Sequence, residues 1–181
     1  IETLLDTAGA AAPEDLEATN AALIRCKDAA WAIGRDRLRA AAQVASLTET
    51  EVTTAGLGVM FSVHQALSAL DRLEVRGRDS AGLEIQLVGH GLDPRDPVTA
   101  AALEWRRDRG FGSGSVRLVD GVLVIVHKAA AEIGELGDNT AVLRDALRDD
   151  DLLQAALVAD DVSGVVLGHT RWASIGIISE P

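Results

Sequence analysis

The sequence is poor in the features that mark secreted, membrane-spanning and nucleic-acid-binding proteins. Its 181 residues include a single cysteine, Cys26, so no disulfide can form within the chain, which fits a reducing cytoplasm. No apolar run approaches the length of about 20 residues that a membrane-spanning helix needs. The net charge of -11 argues against nucleic acid and anionic membranes as partners, because both carry charge of the same sign.

Aromatic residues are also scarce, with three Trp, two Phe and no Tyr. Ala, Leu and Val must therefore fill the interior, and the apolar content of 48% is ordinary for a globular protein. The length suits one domain with an appendage. The four histidines lie in different predicted elements without paired spacing, so we expect no metal site, and we expect no cofactor.

Hydrophobic periodicity predicts a chain of mixed helices and strands. Helices are predicted over 13–47 with a break or kink at Gly34, and over 57–74, 97–109, 128–136, 140–147 and 149–158. Strands are predicted near 83–88, 115–119, 122–127 and 164–169, with a tight turn at Asp120-Gly121. The first helical stretch fits either one bent helix or two antiparallel helices. The strand over 122–127 is apolar without alternation, so we expect it to be covered on both faces.

Two short segments carry most of the functional information. Residues 73–82 read Leu-Glu-Val-Arg-Gly-Arg-Asp-Ser-Ala-Gly, and residues 167–176 read Leu-Gly-His-Thr-Arg-Trp-Ala-Ser-Ile-Gly. They resemble the glutamine amidotransferases whose catalytic residue is an N-terminal cysteine, and most closely the glucosamine-6-phosphate synthase family (glutamine:fructose-6-phosphate aminotransferase). That family typically has Leu-Glu-Tyr-Arg-Gly-Tyr-Asp-Ser-Ala-Gly and His-Thr-Arg-Trp-Ala-Thr-His-Gly. The first segment matches at eight of ten positions, and the second has Ile175 where the family has histidine.

The resemblance implies a fold and a domain organisation. The fold would be α+β, a partial αββα sandwich of the N-terminal-nucleophile (Ntn) hydrolase kind with an added N-terminal helical segment. Residues 1–55 would be a helical insertion or appendage, and residues 56–181 would be a partial glutamine amidotransferase domain. We expect a homo-oligomer.

The resemblance also implies a reaction. The domain would release ammonia from glutamine for amino-sugar synthesis, and an isomerase domain in the remainder of the same polypeptide would use it. The family nucleophile is the first residue of the mature chain, where its own α-amine can act as the base. Cys26 lies within a predicted helix and has no such amine, so we interpret it as a small core residue. The nucleophile is then expected upstream, and this chain alone is expected to be inactive.

Three residues of the second segment match substrate-binding positions of the family. Arg171 matches the arginine that binds the α-carboxylate of glutamine, and a guanidinium can hold both oxygens of a carboxylate at once. Trp172 would shape the glutamine pocket, or would be a core tryptophan. Ser174 would offer a hydroxyl to the bound amino acid, or would be a solvated loop residue.

Other matched residues have supporting roles. Arg76 and Gly77 match positions beside the family nucleophile. Asp79 would pin the turn through main-chain amides, and a turn held by an Arg-Asp pair is the alternative. His169 would brace the end of its strand, or simply pack there. Ile175 can neither donate, accept nor titrate, so the family histidine is dispensable, the substrate preference has changed, or amide hydrolysis is lost.

A second function class is therefore kept open. Ile175, the missing nucleophile and the helical lead favour a non-catalytic amidotransferase-like domain that binds an amino acid or a protein partner. In a third interpretation, residues 1–55 form a helical arm for dimer contacts.

Overall fold

The computed structural model describes residues 13–49, 51–77, 79–108, 110–130 and 135–172. The fold is α+β, as the sequence predicts. The elements in chain order are α1 (Pro13–Trp31), a π-helical segment (Ala32–Arg37), α2 (Leu38–Ala45), α3 (Thr54–Leu73), β1 (Ser80–Val88), α4 (Pro97–Trp105), β2 (Ser115–Val119), β3 (Val122–Ala129), α5 (Asp138–Arg148), α6 (Asp151–Ala156) and β4 (Ser163–Arg171). None of the described helices is long and apolar enough to cross a membrane.

Contacts within the chain divide it into two units, one up to Ala42 and one from Gln43. In the first unit, α1 gives way to the π-helical segment that contains Gly34, so the helical hydrogen-bond pattern changes where the break or kink is predicted, but the helix does not break. Helical residues continue without a connecting loop from 13 to 45, which excludes two antiparallel helices. Cys26 is exposed, so its predicted place in a core is wrong.

The second unit is built on a four-stranded antiparallel sheet of order β2-β3-β1-β4. All four predicted strands are confirmed, and β1, β3 and β4 are longer than predicted. The predicted turn between β2 and β3 is also confirmed. Its two residues, Asp120 and Gly121, have φ values of 50° and 78°, as a tight hairpin turn requires.

One face of the sheet, here called the helix-covered face, packs against α3 and α5. The apolar side chains on this face alternate along β1 and meet apolar side chains of both helices. The fully buried members are Met60, Leu67, Leu70, Leu83, Ile85, Leu87, Leu123, Ile125, Leu143 and Leu147. Gly168 allows α3 to approach β4 closely, because a Cβ there would already touch the Leu70 side chain at 3.3 Å.

The opposite face, here called the outer face, is less covered. Four of its apolar side chains, Val88, Val119, Val165 and Leu167, are 45–58% exposed. The predicted cover on both faces of β3 is partial, because Val126 is buried on the outer face whereas Val122 and Val124 are half-buried there.

Several predicted helix boundaries are wrong. The predicted helix over 128–136 fails at its start, because Lys128 and Ala129 extend β3 by pairing with β1, while residues 131–134 lie outside the described ranges. Gly137, with φ of 100°, precedes the first residue of α5 and does not end a helix. Helix α4 ends at Trp105, short of the predicted 109.

Candidate functional site

The two segments that carry the resemblance meet at one end of the sheet. Strand β1 follows the Arg-Gly turn, β4 contains the His-Thr-Arg residues, and the strands pair with Ser80 opposite Arg171. The amide of Asp79 donates to the carbonyl oxygen of Arg171 at 3.2 Å. Residues far apart in sequence are therefore neighbours, and their meeting point is the candidate functional site.

Gly77 packs directly against β4. Its amide donates to the carbonyl oxygen of Glu74 at 3.3 Å, which curls the chain back after α3. A Cβ at this position would lie 2.8 Å from Thr170 Oγ1 and 3.5 Å from the carbonyl carbon of Arg171. The bend thus needs a residue without a side chain, and it positions the main chain that carries the arginine.

Glu74 is a residue that the sequence interpretation missed. It follows the last residue of α3 and is fully buried. Its Oε2 accepts the amide of Gly137 at 2.5 Å, which ties the end of α3 to the start of α5. Carboxylates are rarely buried, so the sequence alone does not indicate that Glu74 lies in the interior. Its position becomes informative only when the end of α3 is known.

The side chain of Arg171 lies on the outer face. Successive side chains of a strand alternate, and the ring of His169 covers Gly82 on that face, while Thr170 meets Gly77 on the other side. The guanidinium is exposed. Gly77 therefore contacts the main chain of the arginine and lies on the opposite side of the strand from its side chain.

A cavity of about 320 Å³ opens on the outer face beside this strand. Its floor is Gly82, which pairs with Lys128 of β3 on one side and with His169 of β4 on the other. The other lining residues include Glu84, Phe111 and Leu167. The volume is at the small end of the range for small-molecule sites.

The charges around this cavity are mixed. Lys128 supplies an ammonium group, and Glu84 supplies a carboxylate whose Oε1 accepts from Gln86 Nε2 at 2.6 Å. Arg171 follows His169 on the same face, about 7 Å further along the strand. Along the strands Lys128 lies level with Gly82, between Arg171, which is level with Ser80, and Glu84. The face thus offers cations and a separate carboxylate as partners for the two charges of a small zwitterion.

The remaining predicted residues have varied surroundings. Trp172 is 70% exposed, so its interpretation as a core tryptophan is wrong. Arg76 is exposed, and Asp79 is half-buried. Ser174 and Ile175 lie outside the described residues.

A second polar cluster was not predicted from the sequence. Asp150, whose side chain is 1% exposed, receives both terminal nitrogens of Arg106 at 2.6 Å and lies 2.8 Å from His127 Nε2. It also accepts the amide of Leu153 and so caps α6. Burial alone would raise the pKa of this carboxyl group, but hydrogen bonds from Arg106 and His127 outweigh it and hold that pKa well below its usual range. The residues come from three distant elements, and no local pattern indicates them.

A cavity of about 880 Å³ lies between α4 and β2. His90 lines it, and its Nδ1 accepts the amide of Leu92 at 3.1 Å. None of the described residues with a predicted functional role lines this cavity. Within the described ranges, no group of three His, Cys, Asp or Glu side chains could hold a metal ion.

Comparisons with protein-family models, with curated proteins and with solved structures found no match to this chain. A function is therefore proposed from the residues and their geometry.

Proposed function

We propose that this chain is part of the glutaminase domain of a glutamine-dependent sugar-phosphate aminotransferase, which releases ammonia from glutamine for amino-sugar synthesis. The pairing of β1 with β4 is the observation that carries the proposal. It sets Asp79 of the first segment against Arg171 of the second through a main-chain hydrogen bond. Two segments that resemble one family and fold against each other support a shared site better than either segment alone.

In this proposal Arg171 binds the α-carboxylate of glutamine on the outer face. A charge-assisted pair of this kind contributes about 1.5–3 kcal/mol, which corresponds to roughly a tenfold to hundredfold change in affinity. By the resemblance, Trp172 would shape the glutamine pocket and Ser174 would offer a hydroxyl to the bound amino acid. Arg76, Gly77 and Asp79 hold the turn that supports it.

The reaction needs a cysteine thiolate from a segment outside these 181 residues. The thiolate attacks the side-chain amide carbon of glutamine, the C–N bond breaks, and ammonia leaves with a proton from the terminal amine. Water then hydrolyses the thioester, which releases glutamate and restores the thiol. The ammonia passes to an isomerase domain of the same polypeptide in the cytoplasm.

The proposed fold is one half of the αββα sandwich. Helices cover one face of the sheet, and the outer face carries Val165 and Leu167 at 58% and 55% exposure. A second sheet packed on this face would bury these side chains, because stacked sheets join through their apolar faces. The glutamine site would then lie at the end of the interface between the sheets.

The test is the glutaminase activity of the full-length polypeptide that contains this chain. We expect Arg171→Ala to raise KM for glutamine at least tenfold, because the α-carboxylate loses its partner. Arg171→Lys should give an intermediate KM, since an ammonium group keeps the charge but not the paired geometry. Arg95→Ala removes an exposed loop arginine and is the matched control, expected to leave KM unchanged.

An unchanged KM in Arg171→Ala would remove this residue from the pocket and overturn the proposal. Glutamine binding that depends on Arg171, without any release of ammonia by the full-length polypeptide, would favour the non-catalytic amino-acid-binding domain instead.

A further inference from the structure

The helical segment of the first unit exposes large apolar side chains at intervals of seven or eight residues, which places them on one face of the helix. Leu16, Ile24, Trp31 and Leu38 form this row and are 50–66% exposed. A helix that belongs to a monomer normally turns such residues toward its own core, and contiguous exposed apolar surface marks an interaction site.

The charges next to this row are ordered along the helix. Near its start Leu16 lies between Asp15 and Glu17, and near its end Leu38 lies between Arg37 and Arg39. All four charged residues are exposed. The two leucines are about 33 Å apart at 1.5 Å per helical residue, so the acidic and basic ends cannot neutralise each other within one helix.

We propose that residues 15–39 pair antiparallel with the same segment of a second copy of this chain. Antiparallel alignment places Leu16 of one copy opposite Leu38 of the other, so the acidic flank of each helix meets the basic flank of its partner. Parallel alignment would place acidic against acidic and basic against basic, which is unfavourable. The charge order therefore selects both the partner and the direction.

The same register fixes the centre of the pair. Residues 16 and 38 are equally distant from residue 27 along the chain. The twofold axis therefore passes between the two copies of Lys27, and Leu23 of one copy lies opposite Trp31 of the other. The long stem of Lys27 lets its ammonium group reach solvent at the edge of the pair. The inference does not depend on the proposed glutaminase function.

Charge reversal tests the pairing on the whole 181-residue chain. Analytical ultracentrifugation should give twice the chain mass of 19.0 kDa for the unaltered protein. The variant Asp15→Lys/Glu17→Lys makes both flanks basic, and the variant Arg37→Glu/Arg39→Glu makes both flanks acidic. We expect each variant alone to dissociate at least tenfold more readily, and an equimolar mixture of the two to recover the dimer.

Circular dichroism checks that both variants remain helical, and recovery in the mixture shows that neither is merely unfolded. A monomeric mass for the unaltered chain at 100 µM would overturn the proposal, as would charge variants that dimerise normally. Failure of the mixture to recover would do the same.

Cross-linking tests the direction. Mild oxidation with diamide joins cysteines that face each other across the pair. In a Cys26→Ser background, Leu16→Cys alone should not cross-link to itself, whereas Leu16→Cys together with Leu38→Cys should. Efficient cross-linking of the single Leu16→Cys variant would indicate a parallel pair and contradict the inference.

Discussion

The amide nitrogen of Asp79 lies 3.2 Å from the carbonyl oxygen of Arg171, and this hydrogen bond joins the two segments through main-chain atoms alone. Neither side chain is needed to form it. The position of the arginine is therefore set by backbone pairing and by the close packing of Gly77 on Thr170, which leaves the side chain free to serve a ligand.

We predict that Gly77→Ala destabilises the second unit by about 1–3 kcal/mol, as overpacking of a tight contact does. The added methyl group would meet Thr170 Oγ1 at 2.8 Å and its Cβ at 3.2 Å, and a β-branched side chain has little freedom to move aside. Urea unfolding measures the loss. Gly58→Ala is the control, because a Cβ at this helical glycine meets nothing within 4 Å and should stabilise the protein slightly.

We predict a different result for Gly82→Ala. Here the three atoms nearest to the added methyl group all belong to the imidazole of His169, which is an exposed side chain that can rotate away. The free energy of unfolding should change by less than about 1 kcal/mol. The NMR signals of the His169 ring should nevertheless shift as the ring leaves the cavity floor. A large loss of stability, or an unmoved ring, would contradict this account of the outer face.

We predict that Asp150→Asn costs about 3 kcal/mol at neutral pH, because it leaves the half-buried Arg106 without its anion and weakens the contact with the buried His127. The matched control is Asp149→Asn, whose exposed side chain pairs with Arg148 at the surface. It should change the unfolding free energy little.

The stability of the unaltered protein should also depend on acid through Asp150. Its pKa is lowered in the folded state, so the stability it contributes is present above the unfolded value near ~3.9 and is lost as pH falls below it. Urea titrations at pH values between about 6 and 2 measure this slope. The dependence of the unfolding free energy on pH should be weaker in Asp150→Asn. An identical dependence in both proteins would show that Asp150 does not contribute to the acid sensitivity of the fold.

We predict that Glu84→Gln raises KM for glutamine several-fold in the full-length polypeptide, because the carboxylate is the anion beside the cavity that suits an α-ammonium group. Glutaminase kinetics measure this change. Asp120→Asn, in the hairpin turn at the far end of β2, is the control and should leave KM unaltered. If Glu84→Gln left KM unchanged while Arg171→Ala raised it, the ammonium group would have to bind elsewhere.

Local chemistry accounts for the parts of the fold that the sequence predicts. Asp120-Gly121 indicates the hairpin because both residues tolerate positive φ, and alternation along β1 indicates one buried face. The error at Lys128 and Ala129 has a tertiary cause, since their helical propensity is overridden by pairing with Gly82 and Ala81. Cys26 is exposed because the described residues do not bury all the apolar side chains of its helix.

The candidate site, too, could be predicted from the sequence only in part. The motif residues identify β1 and β4 as a pair of interest, but no spacing indicates that the guanidinium of Arg171 and the Gly77 bend lie on opposite sides of β4. That follows from strand alternation, which depends on register. The contacts of Asp150 with Arg106 and His127 join three elements, and only the folded chain brings such groups together.

In the sheet of the described residues, strand β4 is an edge strand that pairs with β1 after the β2–β3 hairpin and three helices have intervened. Closing so long a stretch of chain is slow compared with hairpin formation. Arg171 should therefore reach its final position only after the rest of the sheet has assembled. An early folding intermediate would contain the β2–β3 hairpin but could not bind a ligand through this arginine.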